Sequence, residues 1–224
     1  MEEKEEEILV IMRKLFVLLL FFLFGVIVEA GPLFNKGLNA YKKGEYVAAR
    51  SYFKKGAKQG SAACQVNMGL MYEQGKGGVR DYAKAIYWYR KAATKGDVRG
   101  IYNLAVMYEF GKGIPRNYAE ALKWYLKAAE KGYDMAQYKV ATFYYNGLGV
   151  QKNLHEAAYW FQQAADRGNM KAQYNIGLMF VKGEGVPMNK ILAFQYWLKA
   201  ARQSDLNAQR SLDVLCQKSP WACR

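Results

Sequence analysis

The chain has 224 residues, and its 33 lysine and arginine side chains against 19 acidic ones give a formal net charge of +14 at pH 7. A balance of this sign favours anionic partners through long-range attraction, although lysines also simply keep helix surfaces soluble. One histidine and three cysteines leave no cluster at metal-ligand spacing, so the sequence predicts neither a metal site nor a cofactor.

The chain begins with the three parts of a secretory signal. Arg13 and Lys14 precede an apolar run from Leu15 to Val28, and Ala30 supplies a small residue at a cleavage point. We therefore expect residues 1–30 to be removed and the protein to be exported, to the periplasm or out of the cell. The apolar run is shorter than the ~20 residues that span a bilayer, and an uncleaved membrane anchor is the alternative.

The signal affects both the start and the charge of the mature chain. A start at Met12 would leave residues 1–11 untranslated. Without residues 1–30, 30 basic side chains face 13 acidic ones, about seventeen net positive charges. For an exported protein, an acidic polysaccharide or a membrane surface is a more reasonable anionic partner than nucleic acid, and we expect no nucleic-acid partner.

Residues 31–60 form a short predicted hairpin. Gly37, Ala40, Ala49, Phe53 and Gly56 stand where a tetratricopeptide unit has small and aromatic residues, but the segment has no G-x-G turn. We expect this hairpin to cap the N-terminal end of the segment 61–204.

Residues 61–204 contain a pattern that recurs every 36 residues. The recurring columns are Tyr72, Tyr108, Tyr144 and Phe180; Gly77, Gly113, Gly149 and Gly185; Trp88, Trp124, Trp160 and Tyr196; and the alanine pairs that begin at Ala92, Ala128, Ala164 and Ala200. Four copies result, 61–96, 97–132, 133–168 and 169–204, and a constant period of this length is typical of stacked repeats.

Each copy is predicted to be a pair of helices joined by a turn. In the second copy, apolar residues at i, i+3, i+4 and i+7 form two helical stripes. Gly111, Gly113 and Pro115 separate the stripes and enforce a turn. Asn117 is expected to cap the second helix, as are Asp81, Asn153 and Asn189 in the other copies. Tyr108 and Trp124 are expected to fill the space between the two helices.

The second copy resembles the Sel-one-like repeat, a relative of the tetratricopeptide repeat. The resemblance rests on Leu104-Ala105-x-x-Tyr108-x-x-Gly111-x-Gly113-Ile114 and Asn117-x-x-Glu120-Ala121-x-x-Trp124-Tyr125-x-x-Ala128-Ala129-x-x-Gly132. It covers all four copies, with departures at Leu154 and His155 in the third and at Lys190, Ile191, Phe194 and Ser204 in the fourth. It implies an all-α fold, a right-handed α/α superhelix, or solenoid, of stacked helical hairpins.

Residues 205–224 match only the first helix of a copy and a tail. This helix is expected to cover the C-terminal end of the stack. Cys216 and Cys223 flank the sequence Ser219-Pro220-Trp221, and a disulfide between them would hold the tail on the capping helix in an oxidising compartment. Cys64 occupies a column of small residues and is expected to be buried and unreactive.

Signals of catalysis are weak, and the sequence predicts no catalytic residue. His155 stands in the opening turn of a second helix and is expected to be exposed. Ser51 and Lys54 satisfy S-x-x-K, a nucleophile motif of penicillin-recognising enzymes, but S-D-N and K-T-G are absent. Cysteine-rich proteins with the same repeat have been described as β-lactamases, and this chain lacks the cysteine pair in every copy that marks them.

The candidate binding surface is the concave face, which first helices line in the superhelix that the resemblance implies. Residues directed away from the apolar stripe would face this groove: Arg99, Tyr102, Asn103, Glu109, Phe110, Tyr138, Lys139, Tyr145, Lys171, Tyr174 and Asn175. Tyrosines with amides and lysines suit peptide recognition. The alternative is that Tyr102, Tyr138 and Tyr174 only pack between copies.

The sequence therefore predicts an exported, monomeric protein-interaction scaffold or adaptor, acting in the envelope or on host proteins, with a protein or peptide partner. Two alternatives stay open. One is a β-lactamase-like or cell-wall-acting enzyme, by analogy with the cysteine-rich relatives. The other is a basic module that binds an anionic glycan or a membrane surface.

Overall fold

The computed structural model describes residues 30–223, and the expected signal peptide lies outside them apart from the backbone of Ala30. Eleven α-helices and one 3-10 helix make up the regular structure of this range. The helices are α1 Ala30–Lys42, α2 Tyr46–Lys58, α3 Ala62–Gln74, α4 Tyr82–Thr94, α5 Val98–Phe110, α6 Tyr118–Glu130, α7 Asp134–Asn146, α8 Leu154–Asp166, α9 Met170–Lys182, α10 Lys190–Arg202 and α11 Leu206–Lys218, followed by the 3-10 helix Pro220–Cys223.

The helices group into two compact units, one that ends at Asp97 and one that begins at Val98. In the first unit α1 packs on α2, α2 on α3, and α3 on α4. In the second unit each helix from α5 to α11 packs on the next, and the 3-10 helix contacts α10 and α11. Within each unit the structure is therefore a series of helical hairpins, as the repeat predicts. In the part of the chain that the structure describes, no helix is long and apolar enough to cross a membrane.

The predicted N-caps are confirmed. The side chain of Asp81 accepts a hydrogen bond from the amide of Lys84, and Asn117 and Asn189 do the same three residues onward. Asn153 accepts from the amides of both His155 and Glu156. These oxygens satisfy amide groups that the first helical turn leaves free, which starts each second helix at a defined residue.

The two glycines of the turn between α9 and α10 have different roles. Gly183 ends α9 in the left-handed region, with φ +68°, and an added Cβ would meet only atoms at 3.6 Å or more. Gly185 has φ +69°, and a Cβ there would overlap the carbonyl oxygen of Leu154, the first residue of α8. The second glycine therefore lets the turn rest on the start of the preceding copy's second helix.

The most buried rings between paired helices belong to the column of Tyr89, Tyr125, Phe161 and Trp197. Tyr125 is fully buried, whereas Tyr108 and Trp124 are only partly buried. Tyr125 lies on the side of α6 that faces α5 and α7, where its ring packs on Tyr102 and Phe143. Trp124 fills part of this space, since its indole nitrogen is buried, but Tyr125 takes the fully buried position.

Buried glutamines connect successive copies. Gln137 on α7 donates from Nε2 to the carbonyl oxygen of Ala129 on α6, at 3.2 Å, and Gln173 donates in the same way to Ala165, at 3.1 Å. The second bond joins the third copy to the fourth, across the boundary between α8 and α9. The carbonyl oxygen of Ala129 also accepts from the Gly132 amide at 2.8 Å, and that of Ala165 from the Gly168 amide at 3.0 Å. Loss of either glutamine would therefore remove the bond between copies without leaving its carbonyl unpaired.

The C-terminal tail is joined to α11 by a disulfide. Cys216 and Cys223 form a disulfide with their Cα atoms 5.7 Å apart. Ser219 between them is buried and accepts a hydrogen bond from the Lys190 ammonium, 2.9 Å away on α10. Ala222 is also buried, so the tail is held against α10 and α11.

Candidate functional site

A pocket of about 300 Å³ opens on the helices that come first in their copies, α5, α7 and α9. We call it the tyrosine pocket, and its lining residues are Tyr102, Met135, Tyr138, Lys139, Asn169, Met170 and Lys171. Four of the seven were predicted from the sequence: Tyr102, Tyr138, Lys139 and Lys171. Three consecutive copies, the second to the fourth, contribute lining residues to this pocket.

Tyr102 is a rigid wall of the pocket. Its ring centroid lies 5.3 Å from that of Tyr125 and 5.3 Å from that of Tyr133. Burial raises the pKa of Tyr102 to about 12, and Tyr133 and Glu109 contribute to the rise in the same direction. The hydroxyl therefore stays protonated at neutral pH and can donate a hydrogen bond.

Tyr138 forms the opposite wall. Its ring packs on Phe161, with centroids 5.8 Å apart, so the side chain is supported by α8 and does not have to be ordered by a ligand. Met135, one turn earlier on α7, leaves 45% of its surface exposed at the rim. Flexible methionines beside fixed aromatic rings adapt to apolar side chains of different shapes.

Lys139 is fixed by an ion pair that sequence analysis did not foresee. Its ammonium lies 2.8 Å from Glu109 Oε1 and 3.0 Å from Oε2, and only 24% and 12% of the two side chains are exposed. The Tyr125 hydroxyl also donates to Glu109, and burial together with the presence of this carboxylate raises the pKa of Tyr125. Glu109 is thus occupied by the protein's own groups and is not available to a partner.

The polar rim consists of Asn169 and Lys171. Asn169 donates from Nδ2 to Asp134, at 2.9 Å, and its oxygen caps α9 by accepting from the amide of Ala172. Lys171 is exposed at the edge of the pocket. Its ammonium is therefore the cationic group best placed to meet a ligand.

The other predicted groove residues lie outside the tyrosine pocket. Tyr174 packs on Trp197, with ring centroids 6.4 Å apart, and Tyr145 donates to Glu184 at 3.1 Å. The contact between Tyr174 and Trp197 lies within the fourth copy, between α9 and α10, whereas the packing alternative placed Tyr174 between copies. Arg99 and Phe110 are exposed, and Asn103 and Asn175 are partly buried, all on first helices.

Met135, Asn169 and Met170 line the pocket but were not predicted from the sequence. The two methionines stand in the opening turns of α7 and α9, off the apolar stripe, and an apolar residue in such a polar position was the available signal. Asn169 gave no separate signal of binding, because an asparagine at this position is explained by capping α9.

The residues considered for catalysis are dispersed. His155 is exposed, as expected, and its Nδ1 lies 3.2 Å from the carbonyl oxygen of Gly185. Ser51 and Lys54 are exposed on α2. Cys64 is fully buried, and burial raises the pKa of its thiol. Among residues 30–223, no three His, Cys, Asp or Glu side chains are grouped so that they could hold a metal ion.

Solved structures with similar folds span the stack. A protective antigen present in uropathogenic Escherichia coli strains, which displays an SLR fold, is 30% identical and has a TM-score of 0.79, with 84% of this chain and 41% of that chain covered. A Sel1 repeat protein from Oxalobacter formigenes is 35% identical with a TM-score of 0.71, and the coverage is 75% and 49%. The all-α solenoid class predicted from the sequence is confirmed.

A curated relative shares a shorter region. DAP3-binding cell death enhancer 1 of Mus musculus is 48% identical over 50 residues, which is 22% of this chain and 10% of that protein. This chain thus spans less than half the length of each of these three relatives.

A family model described as the Sel1 repeat matches residues 33–61, 62–97, 98–133, 134–169 and 171–205. The first match falls on the hairpin that sequence analysis assigned to an N-terminal cap, and the other four follow the 36-residue copies to within two residues. With these five matches covering most of its length, the chain belongs to the Sel1 repeat family.

Proposed function

We propose that this protein is an exported interaction scaffold that holds a segment of a partner protein in the tyrosine pocket. Proteins of the Sel1 repeat family typically serve as protein-interaction scaffolds and are generally not catalysts. The mouse relative is described as binding DAP3, which is a property of that protein. That the present chain binds a partner protein is part of our proposal.

The observation that carries the proposal is the construction of the pocket. Tyr102 and Tyr138 are held in place by other rings, and Lys139 by Glu109, so a ligand meets walls that are already ordered. Binding to such walls costs little side-chain entropy, and tyrosines supply much of the binding energy at protein interfaces. Met135 and Met170 offer apolar contact, and Lys171 and Asn169 offer polar contact at the edge.

Export is supported by two features of the chain. The first thirty residues have the order of a signal peptide, and the Cys216–Cys223 disulfide is a bond that persists in oxidising compartments. N-terminal sequencing of protein from cell fractions tests this part. A chain that begins at Gly31 in the periplasm or medium supports export, and an intact N-terminus in the cytosol contradicts it.

The binding proposal is tested by affinity capture from envelope extract and host-cell lysate, followed by proteomics, at low and physiological salt. Tyr138→Ala and Met135→Ser should each reduce capture of the same partner at least about tenfold, since each removes apolar contact within the pocket. Tyr159→Ala, in an exposed tyrosine on α8, is the matched control. Thermal unfolding must show that all three variants remain folded.

Three results contradict the proposal. Capture that is equal for the pocket variants and for Tyr159→Ala would place the partner elsewhere. Recovery only of polyanions, lost at physiological salt, would make the net positive charge the functional feature. Hydrolysis of a β-lactam or cell-wall substrate by the purified protein would favour the enzyme alternative.

A further inference from the structure

A second groove lies at the C-terminal end of the same series of first helices. It has a volume of about 260 Å³ and is lined by Trp197, Arg210, Ser211, Val214, Leu215 and Lys218. We call it the C-terminal groove. Arg210 stands 36 residues after Tyr174 and 72 after Tyr138, so the groove occupies the surface that carries the tyrosines in earlier copies.

The floor of this groove is apolar and fixed. Trp197 is 4% exposed, and its indole nitrogen donates to the carbonyl oxygen of Tyr174 at 2.9 Å. Leu215 is 6% exposed beside it, whereas Val214 leaves 50% of its surface open. An apolar side chain could cover Val214 without rearrangement of the floor, which lowers the cost of binding.

The edges of the groove are cationic. Arg210 and Lys218 are both exposed and lie one helical turn before and one after Val214. The described residues that line the groove include no carboxylate; Asp213 on the same helix accepts a hydrogen bond from Gln209 at 3.3 Å and does not line it. The groove therefore combines one apolar position with a cation on either side.

These positions have a spacing that a peptide can match. Eight residues of α-helix place Arg210 and Lys218 about 12 Å apart along α11. Five residues of extended chain place the first and fifth Cα atoms about 13 Å apart, and the first, third and fifth side chains lie on one face. A partner helix fits less well, because two isolated exposed aliphatic residues, Leu206 and Val214, form too narrow a stripe for helix packing.

We propose that the C-terminal groove binds an extended peptide segment in which an apolar side chain is flanked, two residues away on each side, by a carboxylate. The apolar side chain covers Val214, and the carboxylates pair with Arg210 and Lys218. A second molecule of this protein is a poor occupant, since each whole chain carries a formal net charge of +14. The groove is separate from the tyrosine pocket and does not depend on the function proposed for it.

The test measures the binding of a fluorescein-labelled peptide containing Glu-Ser-Leu-Ser-Glu to the full, oxidised chain by fluorescence anisotropy at low salt. Arg210→Gln and Lys218→Gln should each weaken binding about threefold, the effect of one exposed ion pair. Val214→Asn should weaken it about fivefold through lost apolar contact. Arg202→Gln and Val47→Asn are matched controls in exposed residues of other helices and should have no effect.

A charge exchange separates specific pairing from general attraction. The double variant Arg210→Glu, Lys218→Glu should lose the acidic peptide and bind the counterpart Lys-Ser-Leu-Ser-Lys. Because all three substituted groove residues are exposed, these variants should unfold at the temperature of the unmodified chain.

Several outcomes overturn the inference. Binding weaker than about 1 mM would do so, as would equal binding of Glu-Ser-Ser-Ser-Glu, which would show that charge alone is recognised. Preference for a helical peptide with the same groups would exclude the extended partner. Loss of binding in Tyr138→Ala but not in Arg210→Gln would assign the peptide to the tyrosine pocket. If no partner were captured through the tyrosine pocket, the proposal for the C-terminal groove would still stand.

Discussion

Lys139 on α7 and Glu109 on α5 join two consecutive copies through a bidentate ion pair, with nitrogen to oxygen distances of 2.8 and 3.0 Å. Both residues were predicted to face a partner, yet their charges pair with each other. The pair fixes one side of the tyrosine pocket, so its removal should affect stability and the shape of the pocket together.

The first prediction concerns this ion pair. Lys139→Met should lower the free energy of unfolding by about 1–3 kcal/mol, because it leaves a partly buried carboxylate without its cation. Lys84→Met is the control: Lys84 pairs with Asp81 at 2.8 Å, but its side chain is 61% exposed, and loss of such a pair costs below about 1 kcal/mol. Urea unfolding measures both, and equal losses would contradict the assignment.

The second prediction concerns alkaline pH. Burial raises the pKa of Tyr102 and of Tyr196 to about 12, and burial also raises the pKa of Tyr89 and Tyr125. In the unfolded chain tyrosine ionises near pH ~10, so above this pH the folded state holds more protons than the unfolded state. The free energy of unfolding should therefore fall as the pH rises from about 10 to 12.

Urea unfolding between about pH 8 and pH 12 measures this slope, and the ultraviolet absorbance of phenolate reports the ionisation directly. Tyr102→Phe should make the slope shallower, and Tyr159→Phe, in a half-exposed tyrosine, should leave it unchanged. If every phenolate appeared near pH ~10 in the folded protein, the burial of these hydroxyls would be refuted.

The third prediction separates the two glycines of one turn. Gly183→Ala should cost about 1 kcal/mol, the strain of a side chain at positive φ, since the nearest atoms to its Cβ lie at 3.6 Å. Gly185→Ala should cost about 1–3 kcal/mol more, because its Cβ overlaps the backbone of Leu154. Thermal unfolding of both variants makes the comparison, and identical losses would show that φ alone requires glycine at these positions.

The fourth prediction concerns the C-terminal disulfide. Cys223→Ser, or reduction of the unmodified chain, should destabilise the docked tail by about 2 kcal/mol, through loss of closure of a short loop. Hydrogen exchange should become faster in α11 and the 3-10 helix and stay unchanged in α1 to α4. Mass spectrometry without reductant supplies the direct check: free thiols at both Cys216 and Cys223 would show that packing alone holds the tail.

Much of the fold could be predicted because it is local. Asp81, Asn117, Asn153 and Asn189 cap helices through contacts within three residues, and such contacts recur wherever the pattern recurs. The disulfide was also predictable, since its two cysteines are only seven positions apart in the sequence.

The candidate site was predicted only in part, because its contacts are not local in the sequence. A period assigns each residue to a column but does not state how far one helix slides or rotates against the next. That offset decides that Tyr125 is fully buried whereas Trp124 is only partly buried, and that Tyr174 packs on Trp197. It also brings Met135 and Met170 from two different copies into one pocket.

The amino-acid sequence by itself determined the repeat, the positions of helices and turns, and the family, because hydrophobic period, caps and glycine turns act over a few residues. Only the tertiary structure decided which side chains meet across copies. The pairing of Lys139 with Glu109 and the contact of Gly185 with Leu154 depend on how helices of successive copies pack, where a shift of a single residue changes every partner.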